Sequence, residues 1–175
     1  IDNNSLGTSH SHRIGTCRSG DYTLIVQHFQ LPGAGAGTAF LLHGYYDHAG
    51  LYGHLIRQCL KLDYSVVIMD LPGHGLSSGK PASIGSFEEY SEALESVLEL
   101  AAKLPRPWVG IGQSTGCAVI MDSLLNWTLD ERFGLAYYIL LCPLLYPVGW
   151  SLSRYVFYLT QSFLSDIRRS FARNS

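Results

Sequence analysis

The stretch that most constrains this chain runs from Trp108 to Trp127. An apolar run, Trp108 to Ile111, breaks into Gly112-Gln113-Ser114-Thr115-Gly116, and an apolar segment of helical character, Thr115 to Trp127, leaves at once. A strand that becomes a helix within so few residues brings the backbone close to itself. Only residues without a Cβ fit at the crowded points. Gly112 and Gly116, two residues either side of Ser114, meet that demand. Such a turn lifts a serine hydroxyl clear of the sheet, the setting in which serine acts as a nucleophile. Gly-x-Ser-x-Gly is a weak constraint alone, because its residues are common in loops, so its weight depends on the surrounding chain.

Upstream, residues 1–20 are polar and include His10 and His12 in a His-x-His pair with no third ligand nearby. They are expected to form a flexible N-terminal tail. Alternation from Tyr22 to His28 predicts a strand near a sheet edge. Leu31 to Gly37 reads as a turn, and Thr38 to Leu42 as a short strand covered on both faces. A loop, His43 to Gly50, leads to a helix expected over Leu51–Leu62. Ser65 to Met69 repeats the pattern of a buried strand, followed by a glycine-rich loop, Asp70 to Gly79. Ser86 and Glu89 have capping-box spacing. Phe87, Tyr90, Leu94, Val97, Leu98 and Ala101 then make one apolar stripe, with Glu88, Glu92, Glu95 and Glu99 on faces expected to be solvated. Pro105 and Pro107 end that helix. A last continuous apolar run, Leu135 to Leu141, predicts another strand.

Strand and helix alternate throughout, which predicts an α/β fold: a mainly parallel sheet flanked by helices. The expected organisation is a tail over 1–20, a core over 21–146, and the first part of a helical cap over 147–175. In that last segment Leu152, Val156, Leu159, Phe163, Ile167 and Phe171 recur at helical spacing, with four arginines off the stripe.

With 47% hydrophobic and 15% charged residues the chain is globular, and a formal net charge of −2 argues against a nucleic-acid partner. Its four cysteines (Cys17, Cys59, Cys117, Cys142) fit no metal-binding spacing and no dense disulfide framework. Buried free thiols and a reducing, cytoplasmic setting are expected, although a start at Ile1 leaves a removed targeting segment open. No run has the length of a membrane span. The amphipathic segment over 150–171 reads as a cap or core helix, with transient contact at a membrane surface as the second reading.

Three loops follow strands: His43-Gly44-Tyr45-Tyr46-Asp47-His48-Ala49-Gly50-Leu51-Tyr52, Asp70-Leu71-Pro72-Gly73-His74-Gly75-Leu76-Ser77-Ser78-Gly79, and Gly112-Gln113-Ser114-Thr115-Gly116. Together they resemble the α/β-hydrolase superfamily, and within it the branch of monoacylglycerol lipases and lysophospholipase-like hydrolases (serine aminopeptidase S33 type). The resemblance covers about Tyr22 to Pro147. It implies an α/β-hydrolase fold and a serine hydrolase cleaving lipid-like carboxylic esters without a cofactor or metal. It implies Ser114 as nucleophile and the backbone N–H groups of Tyr45 and Thr115 as the oxyanion hole. Gly44 and Gln113 are implied in binding, while His43, His48, Asp70 and His74 brace loops.

This chain departs from the pattern in several ways. Tyr45 is bulkier than the family's usual small residue, Gln113 stands where His is more common, and Cys117 replaces a frequent Gly. After Ser114 there is no histidine, although the triad order of this fold is Ser, acid, His. The catalytic acid and base are therefore expected outside these residues, and the chain by itself is expected to be nearly inactive. A non-catalytic ligand-binding protein on the same scaffold and a proline-iminopeptidase-like peptidase are the alternatives.

Overall fold

The apolar runs pair into a single sheet in a computed structural model that describes residues 10–33, 35–125 and 132–143. Its strands are β1 (Ser11–Ser19), β2 (Tyr22–Gln30), β3 (Gly37–Leu42), β4 (Tyr64–Met69), β5 (Trp108–Gln113) and β6 (Tyr137–Leu141), in the spatial order β1-β2-β4-β3-β5-β6. β3 to β6 run parallel, while β2 lies antiparallel to β4 and β1 antiparallel to β2.

The two-residue period of a strand sends alternate side chains to opposite faces. Phe40, Leu42, Val67 and Met69 enter one core, closed by α2 (Glu88–Leu100) and α3 (Thr115–Leu125) through Leu94, Val97, Leu98, Val119 and Ile120. Ala39, Leu41, Val66 and Ile68 enter the other, closed by α1 (Gly53–Lys61) through Ile56, Cys59 and Leu60. The chain thus leaves β3 toward one face and β5 toward the other. Adjacent parallel strands whose exits diverge leave a crevice at their carboxyl ends, which is where α/β sheets assemble sites.

Several expectations are corrected. Residues 11–19 are not a tail but the edge strand β1, turned into β2 at Gly20 (φ +51°), which makes β2 second from the edge. Cys17 of β1 is buried and points its thiol at the Ser96 carbonyl in α2. Residues 1–9 and the expected cap, 147–175, lie outside the described residues. The Leu51–Leu62 helix is a 3-10 turn (Ala49–Tyr52) followed by α1.

The Ser86–Glu89 capping box is rearranged. The Glu89 carboxylate takes the Gly85 N–H at 3.0 Å, and the Ser86 hydroxyl donates to Glu88, because the chain enters α2 with Phe87 already helical. Glu95 and Glu99 are not merely solvated, since both pair with Arg132. The 135–141 run forms a strand over part of its length. Only Tyr137–Leu141 pairs, and Tyr137, Ile139 and Leu141 are exposed because β6 is the edge among the described strands.

Candidate active site around Ser114

Ser114 sits between β5 and α3 with φ +49°, a left-handed conformation uncommon for a residue with a Cβ. The glycines around it have no room for one. A Cβ on Gly112 would lie 2.6 Å from the Gly116 carbonyl, and a Cβ on Gly116 would lie 2.4 Å from the Leu42 carbonyl oxygen. The strain is held by backbone bonds: the Ser114 N–H donates to the Leu141 carbonyl at 3.0 Å, and its own carbonyl accepts from Cys117 and Ala118.

The loop after β3 reaches this turn. A Cβ on Gly44 would stand 3.5 Å from Ser114 Cβ, so Gly44 is the point of closest approach. The Gly44 N–H is spent on the Tyr52 hydroxyl at 3.0 Å, and the same hydroxyl meets the Gln113 side-chain oxygen and, at 3.2 Å, Asp47. Tyr52 thereby joins the loop after β3 to the residue before Ser114. Burial pushes its phenol up to about 12, so it stays protonated and able to donate. Sequence reasoning quoted Tyr52 within the motif but gave it no role. It closes the 3-10 turn (Ala49–Tyr52) just before α1, at the end of the quoted loop.

His43 is fully buried below that loop. Its Nδ1 lies 2.7 Å from the Gly44 carbonyl, which can only accept, while Nε2 accepts the Leu71 N–H at 2.9 Å. This fixes a neutral ring with the proton on Nδ1, and burial holds its pKa below the ordinary value. Asp70 performs a similar task from the loop after β4. One carboxylate oxygen takes the Ala49 N–H at 2.7 Å and the other the Leu76 N–H at 2.9 Å. Gly75 passes so close to this carboxylate that a Cβ would be 2.3 Å from it. His74 Nδ1 faces the Pro72 carbonyl at 2.9 Å, and His48 Nδ1 accepts the Gly50 N–H at 3.2 Å. These polar groups orient backbone.

Around Ser114 the structure therefore gathers Gly44, Gln113 and Thr115 directly, with Tyr45 following Gly44 in the same loop. The N–H groups of Tyr45 and Thr115 are taken by no described residue, as expected for the first residue of a helix. Cys117 is buried, its thiol 3.0 Å from the Gly112 carbonyl and 3.2 Å from that of Leu141, and burial pushes its pKa up. It packs against the sheet. The exposed His54 ring contacts Arg57, with Nδ1 2.9 Å from the guanidinium. Among the described residues no helix is long and apolar enough to cross a membrane.

A family model described as "Serine aminopeptidase, S33" matches residues 34–171. A monoacylglycerol lipase of Mycolicibacterium smegmatis is 32% identical over 48% of this chain and 31% of its own. A phospholipase of Bacillus subtilis is 29% identical over 53% and 34%. Among solved structures, an esterase of Pyrococcus furiosus superposes with a TM-score of 0.65 at 21% identity, covering 96% of this chain and 62% of that one. The fold is that of the α/β hydrolases. The chain spans about a third of the length of the curated relatives it matches.

Proposed function

The chain belongs to the serine aminopeptidase S33 family of α/β hydrolases, and on that premise we propose that the whole protein is a serine hydrolase of carboxylic esters, acting on monoacylglycerol- or lysophospholipid-like substrates. The observation that carries this reading is the strained Ser114, held at φ +49° where β3 and β5 diverge, with the N–H of Thr115 next to it and that of Tyr45 in the adjoining loop taken by no described residue.

In the proposed reaction Ser114 Oγ attacks the ester carbonyl carbon and loses its proton to a base. Negative charge gathers on the carbonyl oxygen, where the N–H groups of Tyr45 and Thr115 donate, the latter aided by the N-terminal dipole of α3. Collapse expels the alcohol, which takes the proton back, and leaves an acyl group on Ser114. Water, deprotonated by the same base, releases the acid and restores the serine. The base and its orienting carboxylate are assigned to parts of the protein outside these 175 residues, because no histidine follows Ser114. Gly44 and Gln113 bear on binding indirectly: Tyr52 ties both, and so fixes the loop that presents the Tyr45 N–H.

The names of the relatives, a monoacylglycerol lipase and a phospholipase, support an ester substrate. The full-length protein is expected to hydrolyse p-nitrophenyl butyrate, and Ser114→Ala to lower kcat by about a millionfold. Equal rates in the two would overturn the reading. The 175-residue chain alone should react weakly with a fluorophosphonate that labels the complete protein. Alanine p-nitroanilide, run in parallel, separates esterase from peptidase. Absence of any turnover together with tight ligand binding would favour a binding protein on the same scaffold.

A further inference from the structure

Beside Thr115 lies an open cavity of about 390 Å³, lined by Tyr45, Ala82, Ile84, Phe87, Tyr90 and Thr115. Its volume falls at the small end of the range for ligand pockets, about 300–1,000 Å³. One wall is fastened. The Tyr45 hydroxyl donates to the Ala82 carbonyl at 2.6 Å, and its ring stands edge-on to Tyr46 and to His74, with centroids 4.4 and 5.5 Å away. Ala82 has φ +46°, a conformation strained for alanine, and its N–H is held by the Gly73 carbonyl at 2.9 Å. Strain of this kind persists only where the surroundings over-determine it, and it clusters at ligand clamps. Ala82 is fixed from both sides, by the loop after β3 and by the loop after β4.

We infer that Tyr45 is the specificity-determining residue for the acyl group: fastened to Ala82, its ring limits the width of the pocket at the carbon next to the ester carbonyl and so selects linear over α-branched acyl chains. This rests on the ester reading of Ser114. Two steps of geometry lead to it. First, the residues proposed to hold the carbonyl oxygen, Tyr45 and Thr115, also line this cavity, so the part of the substrate that enters it is attached directly to that carbonyl. Second, in the proposed substrates the alcohol is polar and the acyl chain apolar, and Ile84, Phe87 and Tyr90 line this cavity with apolar and aromatic side chains. The cavity therefore takes the acyl side. Phe87, edge-on to Tyr90 at 5.7 Å, lines it with Ile84 and meets the chain through apolar contact alone.

The test compares kcat/KM of the full-length protein for p-nitrophenyl butyrate and p-nitrophenyl pivalate, whose acyl carbon next to the carbonyl carries three methyls. Tyr45→Ala is expected to raise the pivalate-to-butyrate ratio at least tenfold. Tyr45→Phe keeps the ring but releases it from Ala82, and is expected to raise the ratio about threefold. Phe87→Ala is expected to leave that ratio unchanged and to weaken the gain per added methylene along a linear series, which is about fourfold for a fully buried CH2. Ser114-dependent hydrolysis with the pivalate ratio unchanged in both Tyr45 variants would overturn this inference while leaving the ester reading intact. Hydrolysis that survives Ser114→Ala would overturn both.

Discussion

Tyr52 shows how much of the site depends on one hydroxyl. It accepts from the Gly44 backbone and meets the side chains of Gln113 and Asp47, so it links residues 44 and 113 across the crevice. Replacing it with Phe keeps the ring in its buried place but leaves a backbone N–H and an amide oxygen unpaired. Such orphaned groups cost about 1–3 kcal/mol. Tyr52→Phe is therefore expected to lower stability by that amount in urea unfolding, and a loss under about 0.5 kcal/mol would show that the hydroxyl is not a tie. The glycines at 112 and 116 were readable in advance because a close approach of backbone admits no other residue. Tyr52 was not, because its partners are set by folding and no local pattern announces them.

At the scale of elements, the sequence was most informative where burial is one-sided and periodic. The stripe on α2 was readable because Tyr90, Leu94, Val97 and Leu98 recur at helical spacing, and all four are buried. Leu98 is completely buried, so Leu98→Ala is expected to cost about 2–5 kcal/mol. A loss below 1 kcal/mol by urea titration would mean that α2 packs loosely. β1 was missed for the opposite reason. Its residues Ser11 to Thr16 are exposed, so no apolar period marks them. What makes them a strand is the ladder to β2, running from Ser11 opposite Gln30 to Ser19 opposite Tyr22, and a ladder is a property of two segments. The role of Arg132 was hidden likewise, because its partners Glu95 and Glu99 lie far away in sequence. Exposed pairs of this kind contribute little to stability.

For the molecule as a whole, a buried imidazole, His43, and a half-buried one, His28, set a limit on the acid side. Burial lowers the pKa of His43, with His74 opposing its charge and Asp70 and Asp47 partly offsetting this. Burial, then Arg13 across the strand pair, lowers that of His28. Each folded value lies below the ordinary 6.5, so as pH falls the unfolded chain takes up these protons first. The stability they confer is complete above about pH 6.5 and declines below it, toward the folded values. The urea midpoint is expected to drop between pH 7.5 and 5.5, and His43→Gln to flatten part of that slope. A level profile in the unsubstituted protein would show that neither histidine titrates in this window. A different limit concerns time. The amide of Ser114 bonds to the carbonyl of Leu141, at the far end of β6, and Gly116 abuts Leu42 from far upstream. During synthesis, which proceeds from the N-terminus, the serine emerges before the strand that steadies it. Its left-handed turn has no partner for that amide until β6 has been made and has found β5. The reactive geometry is thus a late product of translation, and a ribosome-bound chain that ends before β6 would carry the motif without its shape.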